Sequence, residues 1–71
     1  MSKSLPDIAR DVALEEGMHD TTAKDIIEAM MDAGYRRVST PHILASLMRN
    51  HPGWQCEHTK RGRTLWTPVA K

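Results

Sequence analysis

At Asn50-His51-Pro52-Gly53 the chain changes its hydrophobic period, and that change constrains the class of fold. Before it, apolar residues recur every three or four positions, as along one side of a helix. After it they alternate with polar ones, as along a strand. Three helix-length segments followed by two strand-length segments make an α+β chain. With 71 residues there is room for one domain, expected to span 1–71, near the lower limit for folding on an apolar core alone. Phe is absent, so Leu, Ile, Val, Met and the two Trp must supply that core.

The helix boundaries are written in local chemistry. Ser4 and Asp7 have the spacing of a capping box, and Pro6 sits in the first turn, where a missing N–H costs nothing. Ile8, Val12 and Glu16 recur at helical spacing, with Leu5, Ala9 and Ala13 beside the first two, and Gly17 is a natural stop. Either Thr21 or Thr22 caps the second helix, and Thr22 with Asp25 repeats the capping-box spacing. Its stripe is Ala23, Ile26, Ile27, Met30 and Met31, ended by Gly34. Residues 18–20, just upstream, are candidates for a short third strand at the sheet edge. The third helix starts with Ser39 or Thr40 as N-cap and Pro41 as its first residue. Ile43, Leu44, Leu47 and Met48 are expected to face the core, leaving His42, Ala45, Ser46, Arg49 and Asn50 outside. The connection from Gly34 to Ser39 is short enough for a tight helix–turn–helix unit.

Two strand-like runs, 54–58 and 64–69, flank Thr59-Lys60-Arg61-Gly62-Arg63. This basic turn contains a glycine able to take positive φ, so the two runs read as a β-hairpin with Pro68 limiting its second strand.

Charge divides along the same line. From Met1 to Gly34, three basic residues against eight acidic ones leave a net charge of −5. From Tyr35 to Lys71, seven basic residues against Glu57 alone leave +6. Positive charge gathered at one end attracts polyanions there and repels them elsewhere.

Helix, short strand, helix, turn, helix and hairpin together resemble the winged helix-turn-helix family, over almost the whole chain. Thr22-Ala23-Lys24-Asp25-Ile26-Ile27, Gly34-Tyr35 and Val38-Ser39-Thr40-Pro41 are similar to the HARE-HTH type of winged helix. The resemblance implies a double-stranded DNA-binding domain with residues 40–50 in the major groove and a wing at 59–64 on the backbone. Its role would be transcription regulation, or an accessory task in replication or recombination. On that reading Ser39, Thr40 and the helix N-terminus suit a phosphate, and His42 a phosphate or a base edge. Ser46, Arg49 and Asn50 are residue types that read bases, and Ala45 is sized for a thymine methyl. Lys60, Arg61 and Arg63, on a flexible tip, neutralise phosphates, and Arg36 and Arg37 add a clamp beside the turn.

Each of these has an ordinary alternative. Arg49 is also what a helix C-terminus favours, and His42 is also a solvated first-turn residue. Trp54 and Trp66 could stack on unpaired bases, but packing against the helices is the expected role. Cys56, the single cysteine, is expected to be a small buried apolar group and to mark a reducing, cytoplasmic compartment. The spacing of His51, Cys56 and His58 matches no structural zinc pattern, so no metal is expected. No catalytic triad, phosphate loop or cofactor motif is present, and neither an enzyme nor a cofactor is expected. The main rival to DNA is a protein partner docking on the acidic face of the first two helices; RNA is a third polyanion to consider. Oligomeric state stays open.

Overall fold

The computed structural model describes residues 3–36 and 38–69. Helices α1 (Leu5–Glu15), α2 (Ala23–Asp32) and α3 (Pro41–Arg49) precede strands β1 (Trp54–His58) and β2 (Thr64–Pro68). The α+β arrangement is winged-helix-like.

The caps form where the local chemistry puts them. At α1, the Ser4 hydroxyl donates to the Asp7 carboxylate at 2.8 Å, and the Ser4 N–H also reaches that carboxylate at 3.3 Å. Thr22 Oγ1 accepts from the Asp25 N–H at 3.2 Å, and Thr40 Oγ1 from the Ile43 N–H at 3.3 Å. Thr22 and Thr40 are therefore the N-caps of α2 and α3. Gly34 follows the C-cap of α2, and the Tyr35 N–H returns to the Met30 carbonyl at 3.1 Å, satisfying an orphan acceptor of the last turn.

The three helices pack on one another, α3 packs on β1 and α1 on β2. Ala9, Val12, Ala13, Ile26, Met30, Leu44, Met48, Trp54 and Trp66 form the core. Both tryptophans are thus buried, as packing against the helices requires.

In the hairpin, Trp54 faces Pro68, Cys56 faces Trp66 and His58 faces Thr64. Gly62, at φ +80°, sits in the left-handed region that closes the turn, with its N–H on the Thr59 carbonyl at 3.0 Å. The Thr59 N–H meets the Arg63 carbonyl at 2.8 Å, and the Arg63 N–H meets Thr59 Oγ1 at 3.1 Å. The tip expected to be flexible is thus closed by three hydrogen bonds.

Four expectations are corrected. The strand at 18–20 does not form: the Met18 N–H is spent closing the end of α1 on Ala13, and Asp20 has φ +49°, outside the extended range. Pairing shrinks to one bridge at Thr21, which exchanges both backbone bonds with Trp66 at 2.7 and 3.0 Å. Met31 is 58% exposed on α2. On α3 only Leu44 and Met48 are buried, whereas Ile43 is 50% and Leu47 43% exposed, and Ala45 leans against the core instead of outward. Cys56 is an exposed free thiol. It shares a sheet face with Trp66, but β1 loses its cover after Trp54, all four later residues being exposed.

Candidate nucleic-acid interface

Helix α3 and the hairpin tip carry most of the residues expected to meet DNA. His42, Ser46 and Arg49 follow each other at four and three residues and are all exposed on α3, with Asn50 exposed as its C-cap. Lys60, Arg61 and Arg63 are exposed in the turn, as is Arg36 in the connection that follows α2. Ser39 is half-buried beside the N-cap. Arg37 lies outside the described residues.

The start of α3 offers fewer donors than a helix N-terminus usually does. Pro41 has no N–H, and the Ile43 N–H is already bonded to Thr40. Among the described residues this leaves the His42 amide as the open one within those first three positions. The Thr40 hydroxyl accepts from Ile43, so its own proton remains free for an outside acceptor such as a phosphate oxygen.

The cations are also unspent. The ion pairs among the described residues join Lys3 to Asp11, His19 to Asp20 and His51 to Asp7, and none of them involves a residue expected to meet DNA. Arg36, Arg49, Lys60, Arg61 and Arg63 enter none of them. Such exposed guanidinium and ammonium groups stay hydrated and available, so an incoming polyanion displaces water and counterions instead of breaking an internal pair.

The hairpin reaches away from the helical body. Its base is covered, since Trp54, Trp66 and Pro68 are buried, and its outer part from Gln55 through Arg63 is almost wholly exposed. An open depression of about 290 Å³ beside the strands is lined by Asp20, Gln55, Cys56, Glu57, Leu65 and Thr67. It holds two carboxylates and no basic group, which is the wrong sign for a polyanion.

The base of the hairpin holds a polar cluster that sequence reasoning missed. The Gly53 N–H donates to His51 Nδ1 at 2.9 Å, so that nitrogen is an acceptor and the ring proton sits on Nε2, facing Asp7 Oδ1 at 2.5 Å. The Ser4 hydroxyl and then the His51 ring hold the Asp7 carboxyl below the usual carboxylate range. Arg10 Nε donates to the Val69 carbonyl at 2.7 Å, and the buried Trp54 indole N–H donates to the Pro6 carbonyl at 3.0 Å. Together these bonds tie α1 to both strands at the base of the hairpin. Asp7 and His51 lie 44 residues apart, and no local spacing could have joined them. Among the described residues, no three His, Cys, Asp or Glu side chains converge as a metal site. Nor is any helix there long and apolar enough to cross a membrane.

No family model, curated protein or solved structure matches this chain.

Proposed function

We propose that this protein binds double-stranded DNA, with α3 in the major groove and the turn at 59–64 on the phosphate backbone. It would act as a transcription regulator or as an accessory factor in replication or recombination. One observation carries the reading: five exposed cations, Arg36, Arg49, Lys60, Arg61 and Arg63, fall on the connection, helix and hairpin tip and enter no ion pair among the described residues. On α3, Arg49 suits guanine O6 and N7, Asn50 suits adenine, and Ser46 can meet either. Thr40 and the His42 amide suit a phosphate at the helix start. The acidic surfaces of α1 and α2 would face away from the duplex.

The test is an NMR titration with a random-sequence duplex, followed by affinity measured against salt. Five neutralised phosphates give a slope of log affinity on log salt of about −4 to −5. Resonances of His42–Asn50 and Thr59–Thr64 should move, and those on the outer faces of α1 and α2 should not. Affinity that ignores salt would rule out the mechanism. Competition by single strands or RNA equal to that of the duplex would move the target to another nucleic acid.

A second reading rests on Met31, which is 58% exposed on α2 near Glu28 and Asp32. An apolar residue set among carboxylates suits a basic protein segment. That reading expects no shift with DNA and a specific protein captured by this face.

A further inference from the structure

The exposed side of α3 carries two kinds of residue, in two adjoining lines. His42, Ser46 and Arg49 make a polar line. Beside it, Ile43 and Leu47 stand one turn apart at 50% and 43% exposure, and Asn50 continues their line three residues on. Single exposed aliphatic residues need no explanation. Two stacked on one helix, in a half of the chain with seven basic residues and one acidic, form an apolar strip.

In the major groove an apolar strip has one complementary feature, the C5-methyl group of thymine. Building on the DNA reading above, we propose that Ile43 and Leu47 read thymine methyl groups and thereby give this protein a preference for A·T-containing sites. Residues four apart on a helix rise about 6 Å. Base pairs rise about 3.4 Å, so the two side chains meet methyl groups roughly two steps apart. Asn50, next along the line, matches this chemistry, because it can bond the N6 and N7 of an adenine whose partner is a thymine. Ala45, sized for such a methyl, leans against the core, so the apolar contact passes to its longer neighbours. Charge argues for this occupant: the strip belongs to the half of the chain that carries a net +6, which favours a polyanion and disfavours a basic protein surface.

The test compares two duplexes of alternating A·T sequence, one with thymine and one with deoxyuridine throughout. The change removes each methyl and keeps every hydrogen-bonding group. Anisotropy at fixed salt measures wild type and Ile43→Ala/Leu47→Ala against both. Both positions are half exposed, so the variant should fold, and its circular dichroism melt checks that. Wild type should bind the thymine duplex about tenfold tighter, from two buried methyl groups at three- to fourfold each, and the variant should bind both alike. Equal wild-type affinity for the two duplexes would overturn the methyl reading and leave salt-dependent DNA binding standing. A thymine preference undiminished in the variant would overturn it too, by placing the methyl contact elsewhere. Binding to neither duplex at any salt would remove the DNA reading itself and this inference with it.

Discussion

The two ends of the hairpin are built on opposite principles. At the base, Trp54 and Trp66 are buried, and the indole N–H of Trp54, the Arg10 guanidinium and both nitrogens of His51 each have a named partner. At the tip, Lys60, Arg61 and Arg63 are exposed and enter no ion pair among the described residues, while the backbone beneath them is held by its own turn. Satisfied polar groups at the base contribute to folding. Unsatisfied charge at the tip contributes nothing to folding and is available for a partner. A short chain can separate stability from binding in this way, because none of the three bonds that close the turn uses a basic side chain.

Substitutions should separate the two ends. The largest effect belongs to the base: Trp66→Ala should lower stability by about 3–5 kcal/mol, read by thermal or denaturant unfolding. A loss under 1 kcal/mol would show that the tryptophan does not bear on the core. Next, charge reversal of Lys60, Arg61 and Arg63 should weaken binding to all duplexes by roughly a hundredfold or more, with the unfolding midpoint nearly unchanged. A drop in stability of the same variant would break the division of labour between the ends. Gly53→Ala is a smaller blow to the base. A Cβ there would stand 2.5 Å from Arg10 Cδ and 2.9 Å from His51 Cε1. Both side chains are anchored by hydrogen bonds, so relief costs about 1–2 kcal/mol in unfolding free energy.

The gentlest probe is pH. Asp7 is held below its ordinary value, so its bonds to Ser4 and His51 stabilise the fold above the usual carboxylate range. That contribution is lost as pH falls through the depressed folded value. Unfolding midpoints should therefore decline below about pH 4, and Asp7→Asn should flatten the decline. An equally steep acid limb in that variant would assign the loss to other carboxylates.

What the sequence discloses follows from range. Caps and turns are decided within four residues, which is why Ser4 and Gly62 could be read directly and the other two N-caps narrowed to Thr21 or Thr22 and to Ser39 or Thr40, which the structure resolves as Thr22 and Thr40. The width of a buried arc is decided by what packs against it. The stripe on α3 shows that Ile43 and Leu47 lie beside Leu44 and Met48, but only the neighbouring elements determine that cover stops short of them. Cys56 was misjudged for the same reason: alternation places it on the inner face, and the helical body ends before it. The bridge at Thr21 and the His51–Asp7 contact are products of tertiary closure. At the candidate interface the residue types and charge were legible, whereas the apolar line beside them became visible only from exposure.

The placement of the two tryptophans has a practical corollary. They are the only indoles in the chain, and both are shielded at the anchored root of the hairpin. Their emission should be blue-shifted in the native protein and move to the red on denaturation. A ligand gripping the distal loop should leave that spectrum almost untouched, so intrinsic fluorescence is an optical gauge of integrity that is blind to occupancy.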